Sequence, residues 1–205
     1  MMKVLVIDYR MGNLGSVRRS LEECGADVVC SEDPQDIKSV SKIILPGVGS
    51  FRDGIEHLNK MGWTEEILKA ATQDKVPFLG ICLGMQLLAD KGSEGGETEG
   101  LGLIAGTVEK FVPDPPETRV PHVGWNELVI SQSTPLLAGI PNRSDFYFVH
   151  SYHFVAQDSK DVAATTPYCG DFVSVVARQN IFGTQFHPEK SSKAGFRLLR
   201  NFLSL

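Results

Sequence analysis

In the first half of the chain, short apolar runs alternate with segments whose apolar residues recur at helical spacing. The apolar runs predict strands at residues 3–8, 27–30 and 42–45, and the spaced segments predict helices at residues 51–60 and 64–73, with Thr64 as a cap. A further helical stripe, Leu14, Val17 and Leu21, ends at Gly25. This alternation of strands and helices predicts a parallel sheet that is covered by helices on both faces.

In the second half, strand-like runs follow one another with only short turns between them. They lie at residues 101–112, 120–130, 145–155, 162–167, 171–177 and 181–186, and a last helix is predicted at residues 191–203 with Phe196, Leu199 and Leu203 buried. Short connections favour antiparallel pairing, so this half is expected to add partly antiparallel strands. The 205 residues are therefore predicted to form a single α/β domain, residues 1–205, with three layers and a mostly parallel central sheet.

One stretch, residues 76–89, joins a buried strand to a helix and places a cysteine at the junction. The helical part, residues 83–90, contains strong helix formers and no proline. Cys82 has Gly80 two residues before it and Gly84 two residues after it, the spacing of a sharp strand-to-helix turn that exposes a nucleophile. The start of the helix favours the thiolate, which is the reactive form. The alternative is a buried structural cysteine beside two packing glycines.

A candidate base for this nucleophile follows the last predicted strand. Pro188 cannot continue a central strand, and the residues on either side of it, His187 and Glu189, point the same way in an extended chain. A carboxylate beside an imidazole can orient the ring and stabilise its charged form. On its own this pair is also typical of a surface turn. Together with Cys82 on its sharp turn it predicts a catalytic triad of Cys82, His187 and Glu189.

The residues with chemical potential lie at the carboxyl ends of predicted strands, where ligands gather in parallel sheets. Asp8, Pro46, Cys82 and His187 all occupy such positions. The loop that begins at Pro46 continues Gly47-Val48-Gly49, and its spacing invites comparison with a dinucleotide-binding fingerprint. That interpretation fails because Arg52 occupies the place of the third glycine, and the sequence also lacks a P-loop motif.

Composition narrows the class of protein. The net charge is −5 and the sequence has no basic run, so nucleic acid and anionic membranes are poor candidates for a partner. The N-terminal apolar run is broken by Asp8 and is too short for a signal sequence, and the longest near-apolar run, residues 76–89, is too short to span a bilayer. We therefore expect no membrane association.

The cysteines and histidines show no pattern typical of a metal site. The four cysteines, Cys24, Cys30, Cys82 and Cys169, form no Cys-x-x-Cys pair and show no metal-binding spacing. One candidate nucleophile and three ordinary thiols fit a reducing cytoplasm. The other histidines, His57, His122, His150 and His153, show no metal pattern, and packing or surface roles are expected for them. The sequence therefore predicts no metal and no cofactor.

Three pieces of the sequence resemble the class I, triad-type glutamine amidotransferases. They are Gly80-Ile81-Cys82-Leu83-Gly84-Met85-Gln86, Phe186-His187-Pro188-Glu189 and Pro46-Gly47-Val48-Gly49, in the order and at the spacing of that family. The resemblance implies a flavodoxin-like fold and acyl transfer from glutamine, a reaction that needs donors for the oxyanion of its tetrahedral intermediate. One donor is expected to be the backbone N–H of Leu83, next to the nucleophile, and the other to come from the loop of Gly47, Val48 and Gly49.

The resemblance also implies where the substrate lies. Gln86 and Glu94 would hold the α-amino and α-carboxylate end of glutamine, with the backbone of His150, Ser151 and Tyr152 on the opposite side. In this scheme Cys82 attacks the carboxamide, His187 transfers the proton to the leaving ammonia, and Glu189 orients His187. A solvent-facing position on the helix is the alternative for Gln86.

Two further stretches resemble one branch of the family, the glutaminase subunits of imidazole glycerol phosphate synthase. They are residues 8–17 and residues 120–126, although Arg10 stands where glycine is expected. The resemblance implies a heterodimer with a (β/α)₈ cyclase subunit that receives the ammonia for histidine biosynthesis. Asn13, Trp125, Tyr147 and Lys190 would lie at the cyclase contact. The alternatives are the glutaminase of a pyridoxal phosphate or GMP synthase, and a non-catalytic binding module on the same scaffold.

Overall fold

The computed structural model describes residues 3–116 and 118–205. The strands are β1 Lys3–Ile7, β2 Asp27–Ser31, β3 Lys42–Gly47, β4 Phe78–Cys82, β5 Lys91–Gly92, β6 Thr98–Glu99, β7 Gly106–Lys110, β8 His122–Glu127, β9 Val129–Ile130, β10 Asp145–His150, β11 Tyr152–Ala156, β12 Val162–Pro167, β13 Asp171–Arg178 and β14 Ile181–Thr184. The α-helices are α1 Leu14–Glu23, α2 Phe51–Lys60, α3 Trp63–Thr72, α4 Leu83–Gln86 and α5 Ser192–Leu203.

The main sheet runs in the order β2-β1-β3-β4-β14-β13-β11-β7-β5-β6. The strands from β2 to β14 are parallel, whereas β14-β13, β13-β11 and β11-β7 are antiparallel. A separate antiparallel ribbon is formed by β8 and β10. The predicted α/β sheet with parallel strands and antiparallel additions is therefore confirmed.

Alternation along the strands divides the core between the two faces of this sheet. On β1, Leu5 and Ile7 pack with Phe51 and Trp63 of α2 and α3, whereas Val4 and Val6 pack with residues of α1 and α5 on the other face. Successive side chains of a strand point to opposite faces, so a run of four apolar residues contributes to both layers. The result is the predicted arrangement of helices on both sides of the sheet.

Most helix limits follow from local signals. Helix α2 begins where the Ser50 hydroxyl accepts a hydrogen bond from the Asp53 amide, and its bounds match the prediction. Helix α3 begins one residue before Thr64, after Gly62 in a left-handed conformation with φ of 77°. The prediction that Thr64 caps this helix is wrong, because its hydroxyl donates instead to the side chain of Asn59.

Several predicted elements are shorter than expected or divided. The predicted strand 101–112 is only β7, and the predicted strand 120–130 divides into β8 and β9, which pair with different strands. The predicted strand 145–155 divides at Ser151: β10 pairs with β8 in the ribbon, and β11 joins the main sheet. The predicted helix 83–90 ends at Gln86 because the carbonyls of the next residues accept hydrogen bonds from a distant segment. Leu87 accepts from Leu101, Leu88 from Leu103 and Ile104, and Ala89 from Gly102.

The prediction of which residues of α5 are buried is also partly wrong. Leu199 and Leu203 are buried as predicted, but Phe196 is only half-buried, and Leu198 and Phe202 complete the buried face.

Arg10, at the position where glycine was expected, has φ of 66°, a conformation that glycine adopts more easily. Its guanidinium lies 2.9 Å from Glu32 on the surface.

Candidate functional site

The carboxyl ends of β3, β4 and β14 meet at a cavity of about 490 Å³. The parallel register places Gly47 beside Cys82 and Thr184 beside Ile81, so the chain segments that follow these strands converge. The cavity is lined by Val48, Gly49, Ser50, Cys82, Leu83, Gln86, Glu94, Pro121, Val149, His150, Ser151 and Tyr152. Nine of these residues belong to the site predicted from the sequence.

The turn at Cys82 is sharp and crowded. Cys82 has φ of 55° and ψ of −110°, a conformation that is costly for a residue with a side chain and that is found where function requires it. A Cβ at Gly80 would lie 2.5 Å from the carbonyl oxygen of Gly84, and a Cβ at Gly84 would collide with the carbonyl of Leu45. Both glycines are therefore required by close backbone packing, which holds the sulfur at the edge of the cavity.

His187 and Glu189 lie side by side after β14. His187 Nδ1 is 2.8 Å from Glu189 Oε1, and the two side chains are only 4% and 2% exposed. This contact fixes the hydrogen on Nδ1 and leaves Nε2 as the basic nitrogen, which is buried and has no hydrogen-bond partner in the described part of the chain. Burial by itself would lower the pKa of His187, but the neighbouring Cys82 and Glu189 outweigh it and raise that pKa to about 10.

The sulfur of Cys82 has two further neighbours. Gln185 Nε2 donates to Sγ across 3.8 Å, and Sγ itself lies 4.0 Å from the carbonyl oxygen of Val149, which can accept the thiol hydrogen. Cys82 is only 6% exposed, so its access to solvent is through the cavity. The structure thus brings Cys82, His187 and Glu189 together and adds Gln185 to them.

The loop predicted to complete an oxyanion hole lies against the cavity, but one amide points elsewhere. The N–H of Val48 donates to the carbonyl of Met11 at 2.7 Å. Gly49 has φ of 116°, and a Cβ at Gly47 would collide with the hydroxyl of Tyr9, so this loop depends on glycine. Leu83 is the first residue of α4, where backbone amides have no partner within the helix.

Residues predicted to bind substrate occupy the cavity wall, with part of their bonding capacity already used. Gln86 Nε2 donates to the carbonyl of Tyr152 at 2.9 Å and to Gln185 Oε1 at 3.0 Å. Because both amide hydrogens are engaged, only the carbonyl oxygen of Gln86 is available to a ligand. Glu94 Oε2 accepts from the Phe51 amide at 2.9 Å, which leaves Oε1 for other contacts.

Two buried histidines form a hydrogen-bonded pair behind the cavity. His150 Nδ1 lies 2.8 Å from the carbonyl of Tyr152, and its Nε2 lies 3.1 Å from His122 Nδ1. Since a carbonyl only accepts, His150 donates from Nδ1 and accepts at Nε2, and His122 donates to it. Burial lowers the pKa of His122 to about 4 and that of His150 to about 3. Both rings are therefore neutral at pH 7, in the packing role expected for them.

Three of the residues predicted for a partner contact cluster on the outer face of the β8–β10 ribbon. Trp125 is 53% exposed and its ring centroid lies 6.0 Å from that of Tyr147, directly opposite in the strand register. Lys190 Nζ lies 5.9 Å from the Tyr147 ring. The neighbouring pair Val123 and Val149 is also exposed, and Val149 reaches the cavity. Asn13 is exposed separately, at the start of the helix that packs against the Pro188–Lys190 turn.

Sequence reasoning missed several residues of the site. Tyr9 is fully buried beside the loop, and burial, followed by the charge of Cys82, raises the pKa of its phenol. Gln185 could have been found from its spacing, since it lies two residues before His187 in an extended segment and so faces the same way. Ser50, Pro121 and Val149 complete the cavity wall, and only the folded chain brings them there.

Neither a metal site nor a membrane-spanning helix is found among the described residues. Within residues 3–116 and 118–205, no group of three or more His, Cys, Asp or Glu side chains is arranged to hold a metal ion. No helix in those ranges is both long enough and apolar enough to cross a bilayer.

A larger groove of about 930 Å³ runs along β11, β13 and residues 157–162, and its lining residues all fall outside the predicted site.

Comparison with known proteins gives one family across almost the whole chain. The model of glutamine amidotransferase class-I matches residues 5–205. Imidazole glycerol phosphate synthase subunit HisH 1 of Campylobacter jejuni (strain RM1221) is 46% identical over 202 residues, which cover 98% of this chain and 100% of that protein. Imidazole glycerol phosphate synthase subunit HisH of Pelagibacter ubique (strain HTCC1062) is 44% identical over 208 residues, with complete coverage of both chains.

Solved structures agree on the fold. PurLQS from Thermotoga maritima superposes with a TM-score of 0.77 at 20% identity, over 99% of this chain and 98% of that chain. A glutamine amidotransferase from the same organism superposes with a TM-score of 0.65 at 18% identity, over 94% of this chain and 78% of that chain. At such identities the likeness establishes a shared architecture and nothing about substrates.

Proposed function

This chain belongs to the class-I glutamine amidotransferases, and we propose that it is the glutaminase subunit of an imidazole glycerol phosphate synthase. It hydrolyses glutamine to glutamate and ammonia and supplies the ammonia to a cyclase subunit. Relatives named as HisH subunits match it along their full length at 44% and 46% identity. This resemblance distinguishes the proposal from a general glutaminase activity.

The observation that supports the chemistry best is the arrangement of Cys82, His187 and Glu189. The thiol gives its proton to Nε2 of His187, and the sulfur attacks the side-chain carbonyl carbon of glutamine. Glu189 Oε1 accepts a hydrogen bond from Nδ1 of His187, 2.8 Å away. This contact directs Nε2 toward the thiol and stabilises the imidazolium that forms. His187 then gives the proton to the leaving nitrogen, ammonia departs, and water hydrolyses the thioester.

The cavity supports the rest of the scheme. The N–H of Leu83 would donate to the oxyanion, and the loop of Gly47, Val48 and Gly49 would supply the second donor. With the Val48 amide bound to Met11, that second donor is withheld. We therefore propose that the isolated subunit is nearly inactive and that the partner releases the loop.

At the mouth of the cavity, the carbonyl oxygen of Gln86 and the free oxygen of Glu94 would accept hydrogen bonds from the α-ammonium of glutamine. The backbone of His150, Ser151 and Tyr152 would lie opposite, as the family resemblance implies. All five residues line the same cavity, which supports this placement.

The partner is proposed to be a (β/α)₈ cyclase subunit, bound as a heterodimer over the outer face of the β8–β10 ribbon. The apolar side chains Val123, Trp125 and Val149 are exposed there, next to the cavity through which ammonia would leave. Exposed aromatic residues are typical anchors of protein interfaces. Lys190 adds a cation at the same face, and Asn13 is proposed to lie at its border. All four cysteines are free thiols, which fits the cytoplasm as the proposed location.

The decisive experiment measures glutaminase and synthase activity with and without a cyclase subunit. Cys82→Ala should abolish glutamine-dependent synthesis by the complex while synthesis from free ammonia continues. If Cys82→Ala also abolishes synthesis from ammonia, the proposed division of labour is wrong. If glutamine hydrolysis is stimulated by the synthase subunit of a pyridoxal phosphate or GMP synthase, and not by the cyclase, this chain is instead the glutaminase of that synthase. Absence of glutamine hydrolysis with every partner would favour a non-catalytic binding module.

A further inference from the structure

Gln185 is a fully buried amide whose side chain reaches the sulfur of Cys82. It follows β14 directly, and the register of β14 with β4 pairs Thr184 with Ile81, so the next residues along the two strands are Gln185 and Cys82. Its backbone is held by a hydrogen bond from its amide to the carbonyl of Ser174 at 2.9 Å. The side chain therefore comes from a fixed strand end.

The orientation of the Gln185 amide follows from a backbone carbonyl. The oxygen of Tyr152 can only accept, so Gln86, at 2.9 Å from it, must present its NH₂ group there. The second hydrogen of that NH₂ group donates to Gln185 at 3.0 Å, which must therefore present its oxygen to Gln86. The NH₂ group of Gln185 is then left facing Cys82 Sγ, at 3.8 Å.

We propose that Gln185 is a further catalytic residue, whose N–H donates to Cys82 Sγ and favours the thiolate in its attacking position. When the S–H bond breaks, the proton goes to His187 and the electron pair stays on sulfur, where a donor stabilises it. The carbonyl of Val149, on another side of the sulfur, favours the protonated thiol instead. Gln185 opposes that effect.

The proposal concerns the same site as the proposed function and rests on it for its catalytic meaning. The titratable groups that act on the sulfur are His187 after β14 and Tyr9 after β1. Neither is altered by a change at Gln185. In Gln185→Met, which adds no titratable group, a change in the reactivity of Cys82 with pH can therefore be assigned to the amide donor.

The test uses two substitutions in the full chain. Gln185→Glu keeps the size of the side chain and its acceptor for Gln86, but replaces the donor with a carboxylate oxygen, whose charge also disfavours the thiolate. Gln185→Met keeps the length and is apolar. Asn201 provides the control, because it is a buried amide that donates to the carbonyls of Leu136 and Ala138, away from the site. The control variant is Asn201→Asp.

The primary measurement is the rate of alkylation of Cys82 by iodoacetamide as a function of pH, followed by peptide mass spectrometry. Both Gln185 variants lose a hydrogen bond to a charged group. The midpoint of the alkylation rate against pH should therefore move upward by about one to two pH units in both. In the complex with the cyclase, kcat should fall about ten- to a hundredfold, with KM little changed. Asn201→Asp should leave the alkylation midpoint unchanged.

An alkylation profile that matches the wild-type chain in a folded Gln185 variant overturns the proposal. If Gln185→Glu does not fold, the methionine variant decides. If neither folds while Asn201→Asp does, the amide is a structural requirement and the catalytic role is wrong. Because alkylation needs neither glutamine nor cyclase, a wild-type chain without glutaminase activity would refute the proposed function while leaving this measurement interpretable.

Discussion

Replacing Glu189 by glutamine separates the charge of the third triad residue from its position. The carboxylate lies 2.8 Å from His187 Nδ1, the two side chains are 4% and 2% exposed, and Glu189 Oε2 has no partner in the described part of the chain. In Glu189→Gln the amide oxygen can still accept from Nδ1, and the NH₂ group takes the place of the unpartnered oxygen. The geometry is kept and the negative charge is lost.

The electrostatic stabilisation lost in Glu189→Gln can be estimated from the distance between the two charges. With the charges of the ring and the carboxylate about 4 Å apart and an effective dielectric constant of about 20, the attraction that stabilises the imidazolium is about 4 kcal/mol. That energy corresponds to about three pKa units of His187, or about a 10³-fold fall in kcat. Folding should not suffer in proportion, because the substitution also removes a buried charge that has only one partner.

The assay is glutamate release by the complex with the cyclase, with circular dichroism and thermal melting to confirm the fold. Glu22→Gln is a matched control: its carboxylate lies 2.7 Å from Arg18, but the pair is exposed, so removing its charge should change neither activity nor stability noticeably. A Glu189→Gln variant that keeps more than about a tenth of wild-type kcat would refute the calculation, since it would show that the charge of Glu189 contributes under about 1.4 kcal/mol.

Three further predictions concern the loop, the partner face and the histidine pair. Because the Val48 amide is withheld, glutamine turnover by the isolated chain should rise at least about a hundredfold with cyclase and its ligand; Gly49→Pro should blunt the rise, and full activity of the chain alone would contradict the gate. Trp125→Ala should weaken cyclase binding at least about tenfold in a titration while the melting temperature stays unchanged; a loss of fold would contradict its exposed position. Because burial lowers the pKa of His122 to about 4 and that of His150 to about 3, below the 6.5 of the unfolded chain, protons bind the unfolded state first. The contribution of these two histidines to stability should be complete above pH 6.5 and fall by about 1–2 kcal/mol per histidine at pH 5 in urea unfolding. His122→Phe should remove about half of that loss, and an unchanged dependence of stability on pH between 6.5 and 5 would contradict this prediction.

Local signals in the sequence were sufficient to predict most of the elements and to propose the three residues that the structure brings together as a triad. The alternation of Val4, Leu5, Val6 and Ile7 feeds two core layers because strand side chains alternate, whatever the rest of the chain does. Gly80 and Gly84 flank Cys82 because a tight turn leaves no room for a Cβ, and this requirement is visible within five residues.

Where a backbone group bonds to a distant segment, local sequence patterns did not predict the structure. The helix after Cys82 stops at Gln86 although residues 83–90 favour a helix, since the carbonyls of Leu87, Leu88 and Ala89 accept hydrogen bonds from the amides of residues 101–104. The strand-like run 145–155 divides at Ser151 because its two parts pair with different strands. Propensity describes a segment by itself, and tertiary partners overrode it in both places.

The sequence by itself identified the side chains that are proposed to carry the chemistry, because a cysteine between glycines and a histidine two residues from a glutamate are local patterns. Only the tertiary structure decided what surrounds them. The insertion of β14 beside β4 places Gln185 against Cys82, and the contact between the Val48 amide and the Met11 carbonyl sets the loop. Strand order and register depend on contacts between distant parts of the chain, and a linear pattern does not specify them.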